Sequence, residues 1–542
     1  VLRGGYSIAY ERQGTASPIA FFGANPGITI NATRSTTIGN LAAGTTADPF
    51  PVLLSQTARL GPSAFVPAPV YPFTGTVTDQ VNVFEPNLKT PYAQSFSFGI
   101  QREITRDTVV EVRYVHTFNL QQWVTYQFNE TNIVENGFLN EFKLAQANLQ
   151  ANIAAGRGNN FRYFGPGTGT SPLPTYLAYF TGLGGTANAN NTANYSNANF
   201  ASANFTGPLA FNNPSPYTTA GTSATQGLQG NATFRNNAIT AGLPANFFVV
   251  NPGLLGGTFI QSNGGFSRYD ALQVDLRRRM SKGLLLGANY TFAKGFTGNR
   301  YSFRQGWVNE LSGLNGGTIK HAFKANWVYE LPLGKGRWLL GNPSGFAGGL
   351  VDKVLGGWEW DGTARIQTGA NLNIGNVNLV GMTRKDLQKA YKLRFDDAAG
   401  RAFIFPQDII DNTIRAFSVS ATTASGYSGA APTGRYIAPA NSKTCIQVVT
   451  GDCAPRSTFV TGPNFTRFDL SLIKRFRFTE RTNFEFRAEF LNAFNNVNFL
   501  GNTNLTNFNN ALFGQVTSSY RDQNNTQDPG GRLIQLVGRI NF

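Results

Sequence analysis

Ser471 and Lys474 stand at the S-x-x-K spacing that some serine acyltransferases and hydrolases share with their lysine base. The residues around them, Arg467–Arg475, alternate apolar and polar like a strand. On a strand an offset of three puts two side chains on opposite faces, so the pair cannot act together and the match is chance. The two histidines, His116 and His321, are far apart, and neither has a second ligand at helical spacing. Each reads as an interfacial residue near a strand end. No G-x-S-x-G, H-E-x-x-H or G-x-x-x-x-G-K-[ST] pattern occurs. Lys143 to Tyr269 contains no Asp or Glu, so that stretch offers no carboxylate cage for calcium. Neither an enzyme nor a cofactor or metal centre is expected.

The remaining chemistry is a disulfide and a set of charges. Cys445 and Cys453, with seven residues between them in a polar loop, read as a local disulfide in an oxidising compartment. The charges recur at every second position of apolar segments: Arg113, Asp275, Asn289, Lys324, Arg365, Asp469, Glu485, Arg487 and Glu489 are the candidates for a wet inner wall. They could contact a ligand, or could solvate that wall and pair across strands.

The elements that must position them are strands. Ten segments alternate with period two: Val1–Glu11, Tyr92–Arg102, Val109–Val115, Tyr269–Arg278, Leu284–Lys294, His321–Leu331, Trp358–Gln367, Arg467–Arg475, Asn483–Asn492 and Arg532–Phe542. Phe484, Phe486, Ala488 and Phe490 oppose Glu485, Arg487 and Glu489, for example. Each segment is about ten residues long, the length of a tilted strand that crosses a bilayer. A soluble β-sandwich also alternates, but its dry core would reject the full charges on the polar face. A water-filled lumen accepts them, and the aromatic-rich opposite face suits lipid.

The connections alternate as well. Glu103–Thr108, Met280–Gly283 and Phe478–Thr482 are short, and Pro332–Gly357 is intermediate. Arg12–Pro91, His116–Arg268, Gly295–Lys320, Thr368–Thr466 and Ala493–Gly531 are longer. Outer-membrane barrels have short periplasmic turns and long external loops, which places Phe542 in the periplasm. Phe138–Ile153 spaces its apolar residues like a helix face, and Thr186–Asn237 reads as a low-complexity surface loop.

Composition agrees. Charged residues are 14% of the chain and aromatics 13%, and no apolar run reaches the ~18 residues of a membrane helix. The net charge is +16, but Lys and Arg are spread over strands and turns with no basic arm, which argues against nucleic acid. Arg102, Arg106, Arg277, Arg278, Arg279, Lys282, Lys335, Arg337, Lys474, Arg475, Arg477 and Arg481 crowd the short turns, either as ordinary solvated charge or against anionic lipid headgroups. The fold class is therefore an all-β antiparallel outer-membrane barrel in a Gram-negative cell, with long external loops carrying short helices. The chain opens inside a strand pattern at Val1 without a signal peptide, which reads as a processed terminus or a fragment. The fragment reading predicts an open sheet with the first and last strands at its edges. The alternative is a closed ten-strand barrel.

Several segments resemble the barrel of Oar-like TonB-dependent receptors: Pro86–Tyr92, Tyr269–Arg279, Ala288–Lys294, Trp327–Gly336, Gly356–Trp358 and Phe486–Asn495. The resemblance implies that residues 1–542 are the C-terminal portion of a 22-stranded barrel. It implies a plug and a carboxypeptidase-regulatory-like domain upstream, neither present here, and energy supplied by TonB through that region. It implies uptake of an oligosaccharide or peptide, contact with membrane lipid and lipopolysaccharide, and insertion by the barrel-assembly machinery. That machinery would read Phe542, with Ile540, Leu536 and Ile534 on the same face, as its signal. A passive porin-like channel and a surface adhesin or structural barrel are the competing functions. The external loops, rich in Asn, Tyr and Phe, suit sugar binding.

Overall fold

The computed structural model describes residues 1–11, 16–28, 75–207, 224–299, 308–311, 318–339, 341, 344–398, 400–420, 423, 425–442, 444–448, 450–479, 481–501, 504–521 and 528–542. Most of the expected link Arg12–Pro91, and parts of Thr186–Asn237 and Gly295–Lys320, lie outside the described residues.

Ten strands form the wall: β1 (Leu2–Tyr10), β2 (Tyr92–Thr105), β3 (Thr108–Gln127), β4 (Gly257–Ser281), β5 (Leu284–Asn299), β6 (His321–Glu330), β7 (Trp358–Gln367), β8 (Phe465–Arg477), β9 (Asn483–Leu491) and β10 (Leu533–Asn541). They lie side by side in chain order and pair antiparallel throughout. This up-and-down order follows from the short links, since a two- to five-residue turn can join only antiparallel neighbours. Among the described residues the sheet ends at β1 on one side and β10 on the other, so it is open.

Each strand shows its apolar residues on one face, where many are exposed, Phe98, Ile100, Leu272, Trp360, Leu536 and Ile540 among them, and those of β8 and β9 are mostly half-buried. A soluble sheet would bury that face. Exposed apolar side chains in rows along a sheet are the surface of a wall solvated by lipid.

Two strands overrun the bilayer. β3 has 20 residues and β4 has 25, about twice what a tilted crossing needs. The alternation ends the third strand at Val115 and starts the fourth at Tyr269, so the sequence reading misses this extension. The register slips between Asn119 and Gln122 and again before Val124, and Gln121 sits at φ 56°. Each bulge resets the parity of the side chains, so period two no longer marks the strand. A further strand, Gln80–Phe84, adds parallel to the extended part of β4 at Gly257–Gln261.

The extended hairpin carries an α-helical cap on the long-link side of the wall, built from α1 (Phe138–Ala154), α2 (Pro174–Thr181), α3 (Ala232–Thr240) and short turns between them. Its core is aromatic, with Phe138, Phe142, Phe161, Tyr176, Tyr195, Phe200 and Phe248 almost fully buried. The helix read over Phe138–Ile153 is present. The described part of Thr186–Asn237 is not a plain surface loop, because its Tyr195, Phe200, Phe205 and Leu228 sit in that core. Low complexity in Asn, Ala and Thr hid single aromatics, each enough to hold a turn down.

The links after β7 and β9 fold together into a second cap. Arg394–Asp396, Arg401–Phe403 and Gln515–Val516 form one small sheet from both links. Tyr391, Phe405, Ile409, Ile437, Val460 and Phe513 form its core beneath an amphipathic helix, Gln407–Phe417.

Candidate functional site

The polar face of the wall carries the site candidates in rows set by strand register. Glu111 of β3 lies opposite Asp275 of β4, Asp275 opposite Asn289 of β5, and Asn289 opposite Lys324 of β6. Lys324 lies opposite Arg365 of β7, and Arg365 opposite Arg467 of β8. Across six strands the row runs from two carboxylates through an amide to three cations. Neighbours off the row balance its ends: Glu111 lies 3.9 Å from Arg113, Asp275 2.6 Å from Arg277, and Arg467 pairs with Asp469 and Asp528.

The cationic end opens into a cleft of about 450 Å³ lined by Lys324, Thr363, Arg365, Phe465, Arg467 and Tyr520, with Asp469 and Asp528 at its side. Arg365 stacks over the Phe465 ring at 4.7 Å and donates to Gln367 at 2.9 Å. Phe465 meets Tyr520 edge-on. Arg467 donates to Asp469 at 3.0 Å and pairs with the buried Asp528. The cleft therefore offers two exposed cations and an aromatic pair, while Arg467 is held by carboxylates.

Toward the short-turn rim the charges satisfy one another. Arg475 bonds Glu485 at 2.7 Å and Glu359 at 3.4 Å, and Arg487 bonds Glu485 at 2.9 Å and Glu489 at 3.2 Å. On β3 and β4, Arg113 donates to Gln273 at 3.1 Å and Arg277 pairs with Asp275 at 2.6 Å. Of the nine candidates, the fold thus brings Lys324, Arg365 and Asp469 to the cleft. It places Glu485, Arg487 and Glu489 in a ladder, and leaves Arg113, Asp275 and Asn289 on the acidic side. The cleft also takes Arg467, Phe465, Tyr520 and Asp528, which are not among the nine. Arg467 was legible from its alternation, but Tyr520 and Asp528 come from a loop distant in sequence.

Ser471 lies on the polar face and Lys474 on the apolar face. Lys474 donates to the Gly356 carbonyl and sits 5.8 Å from the Trp358 ring and 5.3 Å from Phe476. His116 is not alone: Asp270 accepts from it at 2.8 Å, from the Tyr114 hydroxyl at 2.6 Å and from Arg268 at 2.6 Å. This cluster lies on the apolar face toward the long-link end, roughly 25 Å above the short-turn rim at ~3.3 Å per residue and a 45° tilt. His321 meets Tyr290 at 2.7 Å on the same face. Parity placed Asp270 there from the sequence, where it was not singled out.

Above the wall, Glu141 of α1 is buried and accepts the backbone N–H groups of Thr175 and Tyr176 at 3.0 and 2.9 Å. It caps the first turn of α2, where unpaired donors and the helix dipole favour an anion. Burial nevertheless pushes its carboxyl above the ordinary 4.5, with the bonds from Thr175 and Tyr176 opposing. Burial also raises Tyr195 to about 12; its hydroxyl donates to Ala189 and accepts from Leu173. Many loop Asn and aromatic residues are consumed in this way. Asn148 and Asn152 are buried and hold the turns at Ser171, Asn160 and Arg162. Those residues cannot face a ligand, which narrows the sugar-binding expectation to the exposed remainder.

Cys445 and Cys453 are joined by a disulfide. Within the loop they close, Ile446 and Val448 pack against the core of the first cap, so the bond clamps a segment that ties the two caps together. Ile534, Leu536 and Ile540 are exposed on the apolar face of β10, opposite Phe490, Ala488 and Phe484, and Phe542 follows the strand, fully exposed.

The family model described as "Outer membrane beta barrel domain" matches residues 1–535. Among solved structures, the chain is similar to the outer membrane transporter YddB from Escherichia coli, with 8% identity over 86% of this chain and 34% of that one and a TM-score of 0.27. A ferric enterobactin receptor (PfeA) mutant from Pseudomonas aeruginosa gives 7% identity over 84% and 32%, with a TM-score of 0.27. The toluene transporter TodX of Pseudomonas putida gives 6% over 74% and 55%, with a TM-score of 0.16. The chain thus spans about a third of the length of the first two of these. No curated protein matches it. A wall of ten paired strands, apolar outside and charged inside, matched by the family model along nearly its full length, identifies the chain as a member of the outer membrane beta barrel domain family, resident in the outer membrane.

Proposed function

We propose that the chain is part of an outer-membrane receptor of the Oar-like, TonB-dependent kind that imports a bulky solute, an oligosaccharide or peptide bearing negative charge. It binds and transports and does no catalysis. The observation that carries this reading is the cleft at the cationic end of the transverse row. Lys324 and Arg365 are exposed there beside Phe465 and Tyr520, cations for an anionic group and ring faces for a sugar or side chain. Two folded caps over the external mouth supply a surface for selecting the solute.

In this reading residues 1–542 are the C-terminal portion of a barrel of roughly 22 strands, with a plug and a carboxypeptidase-regulatory-like domain upstream. TonB acts through that upstream region. The outer strand edges of β1 and β10 support it, since a free edge in hydrocarbon leaves each amide without any partner. Ile534, Leu536, Ile540 and Phe542 serve as the signal for the barrel-assembly machinery, and lipopolysaccharide contacts the external rim.

The test is uptake of labelled anionic and neutral oligosaccharides and peptides by cells carrying the intact protein or its Lys324→Glu/Arg365→Glu variant. The double variant should lose anionic uptake at least tenfold, a difference of about 1.4 kcal/mol. Removal of TonB should abolish uptake altogether. Uptake indifferent to TonB would make the protein a passive channel, and uptake indifferent to both cations would remove the cleft from the pathway.

A further inference from the structure

The link between β6 and β7 is longer than the other short-side turns and contains a helix, α4 (Gly345–Leu355). None of its residues is buried. At 100° per residue Phe346, Ala347, Leu350, Val351, Val354 and Leu355 fall within one half of the helix, and Gly348, Gly349, Asp352 and Lys353 within the other. Phe346 is 92% exposed and, in the same link, Trp338 is 84% exposed. A soluble protein would turn this half inward. Here only Asp352 of the opposite half turns to the protein, accepting the backbone N–H of Lys335, while Gly349 and Lys353 are exposed. Gly334, at φ 107°, permits that approach, because a Cβ there would collide with Asp352 and Gly356.

The helix is fastened to the lipid-facing side of the wall. Trp358 of β7 donates its indole N–H to the Val354 carbonyl at 2.9 Å, and Lys474 of β8 donates to the Gly356 carbonyl just past the helix end. Both side chains belong to the apolar face of their strands. The exposed half of α4 is therefore continuous with the surface that lipid already covers. Lys335 and Lys353 stand beside it as exposed positive charges, while Arg337 is held by Glu330 at 2.6 Å; such cations favour anionic headgroups.

We infer that α4, with Trp338, is an interfacial helix whose apolar half lies in the headgroup–acyl boundary of the inner leaflet of the outer membrane, its occupant being anionic phospholipid. An exposed Trp, a helix with an apolar half and flanking cations form the signature of a segment that lies on a membrane without crossing it. It gives the barrel a fixed depth at one point of its rim.

Nitroxide labels at Phe346→Cys, Leu350→Cys, Val354→Cys and, as control, Gly349→Cys test this in the intact protein reconstituted in phosphatidylethanolamine–phosphatidylglycerol vesicles. Gly349 has open space where a side chain would stand, and Cys445 and Cys453 are bonded to each other, so within residues 1–542 each label is unique. Collision with oxygen relative to a water-soluble nickel chelate should be severalfold higher at positions 346, 350 and 354 than at 349. Equal nickel access at all four positions would place the helix in water. Exclusion of both reagents from the apolar half would mean that protein covers it. Either result overturns the inference. Should a labelled variant fail to show the heat-dependent gel shift of a folded barrel, Trp338 reports instead. Its emission, taken as the difference between the native protein and Trp338→Phe, should be quenched by lipids brominated near the headgroup, and absence of quenching counts against the helix in the same way.

Discussion

Glu141 is the residue whose environment differs most from its chemistry. A carboxyl in an aromatic core survives there because two N–H donors of α2 point at it. Its folded-state pKa is raised, so its contribution to the stability of the first cap is full below the ordinary value of 4.5 and is lost as pH rises through the raised value. Replacement by Gln removes the charge and keeps one acceptor oxygen, so one of the two N–H groups loses its partner. Glu141→Gln should therefore remove this pH dependence at the cost of one unpaired amide. Glu141→Ala leaves the Thr175 and Tyr176 amides unpaired, at about 1–3 kcal/mol for each buried donor. Hydrogen exchange at the amides of α2, followed between pH 4 and 8 in the three proteins, measures both effects. Equal slopes with pH in the native protein and Glu141→Gln would show that another group titrates there.

At the scale of elements, the second cap depends on how the loop Cys445–Cys453 is held. The bond closes a small loop, and such a closure contributes ~2–3 kcal/mol, chiefly by restricting the unfolded segment. Ile446 and Val448 lie inside that loop and pack on the other cap. Reduction, or Cys445→Ser with Cys453→Ser, should leave the wall intact and loosen the contact between caps. Limited proteolysis on intact cells reads this out, with new cleavage expected within residues 441–456 and the barrel fragment unchanged. A cleavage pattern identical to that of the oxidised protein would show that apolar packing alone holds the loop. The bulged hairpin β3–β4 is the other informative element. Its parity resets at Gln121–Gln122 because its extension rises out of lipid and supports a cap.

For the whole molecule the decisive fact is that the wall is open at β1 and β10. β10 pairs with β9 along its length and presents Ile534, Leu536 and Ile540 to lipid. Deleting Phe542, or Phe542→Asp, should lower the folded, outer-membrane fraction several-fold, as measured by heat-dependent gel mobility and surface labelling. Stability of protein already inserted should change little, because Phe542 follows the strand and packs on nothing. Unaltered surface levels would remove the terminal aromatic from the assembly signal. Closure itself is open to a crosslink. Cysteine pairs between β1 and β10 should remain unbonded in the intact protein if other strands intervene, whereas a bonded pair would mean that these two edges meet.

The sequence alone determined the wall. Period-two alternation fixed ten strands and their faces, and the alternation of link lengths fixed their order and the side on which each link lies. Both signals are local, and lipid outside with water inside makes them unusually strict. Charges such as Lys324 and Arg365 were legible for the same reason. Tertiary structure decided everything that alternation does not encode. It set the register that lines Glu111, Asp275, Asn289, Lys324, Arg365 and Arg467 into one row. It brought Tyr520 and Asp528 to the cleft and packed Ile446 against a distant cap. It also turned the apolar half of α4 outward. Register, loop docking and helix orientation depend on contacts between residues tens to hundreds of positions apart, and no periodicity in a single sequence carries that information.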